Sequence, residues 1–109
     1  MRKLQIYIEI EGKQTYVGLI TGDSPQDARF AYSDSYIAAG YPPISISLPI
    51  SRNPFSAEAT KNFFEGLLPE GFARKTVANW IHAAEDDYLT ILSVLGAECL
   101  GALRISNGA

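Results

Sequence analysis

One cysteine and one histidine in 109 residues leave this chain poor in the side chains that catalysis and metal binding most often use. The lone Cys99 cannot close an internal disulfide, and it fits a reducing compartment where a buried thiol packs as a small apolar side chain. Zinc needs several convergent Cys or His ligands, so no zinc spacing exists and no cofactor is expected. Positive charge is short as well. Nine Lys/Arg stand against twelve Asp/Glu, giving a net charge of −3, and the cations are scattered. That leaves no footprint for gripping phosphates, and no direct nucleic-acid contact is expected. Nor does Met1-Arg2-Lys3-Leu4-Gln5 lead into an apolar run long enough for a signal peptide or a membrane span. A cytoplasmic protein without membrane contact is the expectation. What the chain does have is a globular balance, 47% hydrophobic and 19% charged, at a length that suits one domain over 1–109.

The search for chemistry is equally spare. A nucleophile needs a base within hydrogen-bond reach, and the one histidine, His82, follows Trp80-Ile81 near a predicted helix end, where packing or complementing the helix terminus suits it better. Glu85-Asp86-Asp87 reads as a solvated helix start. Gly12-Lys13-Gln14-Thr15 echoes the end of a P-loop, but Tyr7 stands where its first Gly belongs, so a hairpin turn is the better reading. A protein kinase's Gly-rich loop, His-Arg-Asp loop and Asp-Phe-Gly are all missing. These omissions point away from an enzyme and toward a binding protein whose partner is another protein.

Periodicity organises the rest. Leu4, Ile6, Ile8 and Ile10 alternate with polar neighbours as in a half-buried strand, Glu11-Gly12-Lys13 supplies a turn, and Thr15 to Ile20 returns. Gly22-Asp23-Ser24-Pro25 is loop chemistry, and Arg29-Phe30-Ala31-Tyr32 reads as a third strand closed by Ser33-Asp34. Ile44, Ile46, Leu48 and Ile50 alternate with Ser45, Ser47 and Pro49, which predicts a strand at a sheet edge, since Pro49 cannot donate to a ladder. At Pro54 the period changes. Ser56 is a good N-cap for a helix bearing Phe63, Phe64, Leu67 and Leu68, which Pro69 should end. Ala73, Val77, Trp80, Ile81 and Ala84 mark a second helix, with Trp80 placed in the core. Asp86 or Asp87 caps a third, carrying Tyr88, Ile91, Leu92 and Leu95 and stopped by Gly96. A final strand is expected between Cys99 and Ile105. Strands first and helices after indicate an α+β fold: a small curved antiparallel sheet followed by about three helices and that last strand.

Three segments are more specific than their periodicity: Pro42-Pro43-Ile44-Ser45-Ile46-Ser47-Leu48-Pro49-Ile50, Asn62-Phe63-Phe64-Glu65-Gly66-Leu67-Leu68-Pro69-Glu70-Gly71, and Leu95-Gly96-Ala97-Glu98-Cys99-Leu100-Gly101-Ala102-Leu103. In this order, with Val17-Gly18-Leu19 and Phe30-Ala31-Tyr32, they resemble the N-terminal subdomain of the HipA family of bacterial toxin kinases, roughly from Leu4 to Leu103. Family members continue into a kinase domain, so the chain looks like the subdomain alone. Free-standing versions are the HipS-type antitoxins of HipBST toxin–antitoxin systems.

The resemblance implies an antitoxin that binds and inhibits a separate HipA-like serine/threonine kinase of the HipT type, with a HipB-type helix-turn-helix protein joining in a ternary complex. It also suggests a site. Leu68, Pro69, Glu70, Gly71 and Phe72 form a corner, and an aromatic at a rigid corner makes a good anchor. The expectation is that Phe72 enters or borders the kinase cleft while Glu70 and Arg74 make flanking polar contacts. Related sequences often carry Trp at the Phe72 position, and Phe lacks its N–H donor and some of its area. Trp80 is the competing anchor. The alternative function is a non-inhibitory scaffold or co-regulator linking the kinase to the HipB-type protein.

Overall fold

A computed structural model describes residues 2–68, 71–84, 86–96 and 102–107, with the backbone alone at Phe72 and Asn107. Strand β1 (Arg2–Ile10) and strand β2 (Lys13–Gly22) form the expected hairpin. Its turn is tight because Glu11 (φ 51°) and Gly12 (φ 81°) both adopt left-handed backbone, the twist that two-residue hairpin turns require. Between Ile6 and Tyr7 the register slips by one residue, so Gly18 opposes Ile6 and Tyr16 opposes Tyr7. Val17 is the extra residue. This bulge turns Val17 into the core, while Tyr16 meets Tyr7 edge-on at 5.5 Å between ring centres on the sheet's other face.

Strand β3 (Arg29–Tyr32) adds beside β2, and strand β4 (Leu103–Asn107) adds beside β1, giving an antiparallel sheet of order β3-β2-β1-β4. The helices are α1 (Asp34–Ala38), α2 (Ala57–Glu65), α3 (Gly71–Trp80) and α4 (Tyr88–Leu95). Packing α2 against β3 and α4 against β4 brings the two helices together over one face of the sheet. Between them lies the core: Leu4, Ile6, Ile20 and Ile105 from the strands meet Phe64, Leu89, Ile91 and Leu92 from the helices. The α+β expectation holds.

Four local readings need correction. Ser33 both closes β3 and caps the short α1, its hydroxyl accepting from the Tyr36 N–H; the sequence reading contained no helix there. Helix α2 starts at its Ser56 cap as expected but ends at Glu65, with Gly66 as C-cap, before the chain reaches Pro69. Helix α3 departs from its expected stripe at Trp80. Ala78 is buried and Val77 and Ile81 pack on the core, whereas Trp80 is 82% exposed. The helix also ends early: His82 takes φ 59°, with His82 N–H bonded to Asn79 O and Ala83 N–H to Ala78 O, a left-handed cap that stops the helix just after Trp80.

The fourth concerns Ile44 to Ile50, which forms no strand. Pro42, Pro43 and Pro49 bring no N–H, and the outer edge of β3 is already taken. Phe30 N–H donates to Thr60 Oγ1 at 2.9 Å, and Phe30 C=O accepts from Phe55 N–H at 2.8 Å. An edge strand would find both outward groups of Phe30 already occupied. The position expected for Cys99 lies outside the described residues, whereas the last strand is present as β4.

Candidate functional site

Phe30 stands at the centre of an aromatic cluster, its ring 5.0 Å from Tyr32, 5.4 Å from Phe64 and 6.0 Å from Phe55. Tyr32 in turn stacks on Tyr36. The hydroxyls of these two tyrosines hold the segment that follows α1. Tyr36 Oη donates to Pro42 O at 2.7 Å. Tyr32 Oη accepts from Ile44 N–H at 3.0 Å and donates to Leu48 O, so one buried hydroxyl clamps both ends of a five-residue stretch. Burial pushes its pKa above the ordinary tyrosine value, against the opposing hydrogen bond from Ile44, so it stays protonated and keeps donating.

Inside the clamp the chain turns sharply. Leu48 N–H returns to Ser45 O at 3.1 Å, Ser47 N–H bonds Ser45 Oγ at 3.2 Å, and the two serine hydroxyls lie 2.9 Å apart. Leu48 is fully buried beneath this turn, and Ile46 at its tip is 99% exposed.

Ser47 then meets α2. With Ala59, Asn62, Phe63, Gly66 and Leu67 it lines a shallow groove of about 540 Å³. A second hollow of about 390 Å³, lined by Asn62, Glu65, Gly66, Gly71 and Arg74, shares Asn62 and Gly66 with the first. The two therefore run together along α2 from the Ser45–Leu48 turn to the start of α3. Gly66 sits at their junction, where a Cβ would come within 3.1 Å of Asn62 O.

Of the residues expected to contact a partner, Leu68 is buried in the core. Gly71 opens α3 with φ 60°, a conformation that favours glycine, and it lines the second hollow. Arg74 crosses back to α2, donating to Glu65 O at 3.2 Å, with its guanidinium 3.8 Å from the Glu65 carboxylate. Pro69 and Glu70 lie outside the described residues, as does the side chain of Phe72, whose backbone belongs to the first turn of α3. Sequence reasoning missed Ile46 as an exposed residue, because its place in an alternating run looked like burial. It also missed Glu65 and Asn62 as groove walls. Their only signal was their position on the polar side of the α2 stripe.

The walls offer apolar surface, the Asn62 amide, the Ser47 hydroxyl and the Arg74–Glu65 ion pair, which is the chemistry of a contact surface. Among the described residues no group of three or more His, Cys, Asp or Glu is placed to hold a metal ion.

The family described as the HipA N-terminal domain matches residues 8–106. The chain belongs to that family. Two relatives show how this HipA N-terminal domain occurs elsewhere. The "Putative kinase Y4mE" of Sinorhizobium fredii is 36% identical over 90 residues, which are 82% of this chain but 21% of that protein. An uncharacterized protein of Haemophilus influenzae is 30% identical over 92 residues, covering 84% of this chain and 83% of the relative. The chain thus spans about a fifth of one relative and most of the other. Two of the three HipA-like segments that stood out in the sequence meet at this groove, Pro42 to Ile50 through Ser47 and Asn62 to Gly71 through Asn62, Phe63, Gly66, Leu67 and Gly71. No described helix is long and apolar enough to cross a membrane.

Proposed function

We propose that this chain binds a separate HipA-like serine/threonine kinase of the HipT type and suppresses its toxicity by direct contact, as the antitoxin of a toxin–antitoxin pair. The observation that carries the reading is the match to the HipA N-terminal domain over residues 8–106, a domain that in the Sinorhizobium relative shares a chain with a kinase by name. The Haemophilus relative supports a domain that acts in trans, since the match takes up 83% of that protein. The contact surface in this reading is the α2 groove and the corner beyond it, with Phe72 as an aromatic anchor and Gly71 and Arg74 beside it. A HipB-type helix-turn-helix protein completes a ternary complex.

Co-expression with a HipT-type kinase from the same genome is the test. The chain should relieve growth arrest, the purified kinase should lose activity when the chain is added, and Phe72→Ala should weaken both effects. A kinase that stays fully active in a stable complex, with altered operator binding by the HipB-type protein instead, would replace inhibition by a scaffold role.

A further inference from the structure

The Ser45–Leu48 turn carries a side chain that this fold does not use. Ile46 is 99% exposed, while its neighbours Ile44 and Leu48 pack on the core. Turn tips favour Gly, Asn, Asp or Ser, and a β-branched apolar residue there gains nothing from the domain that bears it. Yet the turn is held firmly. The Tyr32 hydroxyl bridges Ile44 N–H and Leu48 O, Tyr36 fixes Pro42, and Pro42-Pro43 stiffen the approach. Such a turn has little conformational freedom left to lose on binding.

We infer that Ile46 is a preorganised apolar anchor that seats in an apolar pocket on the HipA-like kinase, at the far end of the same contact surface from Phe72. The inference rests on the function proposed above. The kinase is the occupant for two reasons. In the Sinorhizobium relative the matched segment is a fifth of a protein named a kinase, so there a kinase is what the domain shares its chain with. And Ser47, next to Ile46, forms the near wall of the groove that continues to Gly71 and Arg74, so both ends of one surface meet one partner.

Titration calorimetry of the whole chain against its kinase, made inactive at the catalytic aspartate, tests this. Seating a fully exposed Ile in an apolar pocket corresponds to about 10- to 100-fold in affinity. Ile46→Ser should weaken binding by that factor with an unchanged thermal melt, because the side chain supports nothing in the fold. Ile46→Val should retain most of the affinity. Tyr32→Phe, which keeps the ring stacks but removes the clamp, should weaken binding less than Ile46→Ser does. Ile46→Ser binding within about twofold of a wild-type chain that does bind overturns the anchor alone. A wild-type chain that fails to bind the kinase overturns the proposed function and the anchor with it.

Discussion

Asp87 shows how much one side chain near the chain's middle layer can join. Its carboxylate caps α4 by accepting from Thr90 N–H at 3.2 Å and from the Thr90 hydroxyl at 2.7 Å, and it meets the Arg2 guanidinium of β1 at 3.1 Å. Partial burial alone would raise its pKa, but the bonds from Thr90 and Arg2 outweigh that and hold it below the usual aspartate value. A carboxyl whose folded pKa is depressed contributes stability that is complete above its unfolded value, about 3.9, and is lost as pH falls through the folded one. Asp87→Ala should therefore cost about 1–2 kcal/mol near neutral pH, chiefly through the lost cap. In thermal melts the gap between wild type and Asp87→Asn should narrow as the buffer is taken below about pH 4.

At the scale of elements, the decisive event is the sealing of β3. Thr60, fully buried on α2, donates its hydroxyl to Ser56 O at 2.9 Å and accepts Phe30 N–H at 2.9 Å, so a helix side chain occupies a sheet-edge donor. Thr60→Val keeps the shape but orphans that buried N–H. It should cost about 1–3 kcal/mol, read as a lower denaturant midpoint at unchanged slope. The same contact explains where the sequence was legible and where it was not. The β1–β2 hairpin and the Ser56 cap rest on neighbours in sequence and could be read directly, and the α4 cap could be narrowed to Asp86 or Asp87, of which the structure selects Asp87. The fate of Ile44 to Ile50 rests on whether β3 has a free edge, which is a fact about residues 55 and 60. Alternation alone could not supply it, and the segment became a turn with Ile46 outward.

On the scale of the whole molecule, the interest lies in a surface with two ends. One is the clamped Ile46 turn and the other is the α3 start at Gly71, joined by the groove along α2. A partner covering it buries Ile46, Phe63 and Leu67 surface along with the groove's polar rim. Binding to the kinase should then show a clearly negative heat-capacity change in calorimetry across temperatures, and Ile46→Ser should make it less negative. Trp80, exposed at the opposite end of α3, lies outside that groove.

The sequence by itself determined the fold class, the hairpin, the Ser56 cap of α2 and the likeness to the HipA N-terminal domain, because each rests on local periodicity, cap chemistry or ordered short segments. The tertiary structure alone decided which of the apolar residues are spent on the core. Ile46 and Trp80 both fit a core pattern, yet both are exposed: Phe55 and Thr60 occupy the outward groups of Phe30 on β3, so Ile46 sits at a turn tip, and Trp80 lies at the end of α3, where Ala78 takes the buried place. It also decided that Ser47 of the Pro42–Ile50 segment meets Asn62, Phe63, Gly66 and Leu67 of the later one in the wall of a single groove. Periodicity reports which side of an element a residue occupies; only packing reports what that side faces.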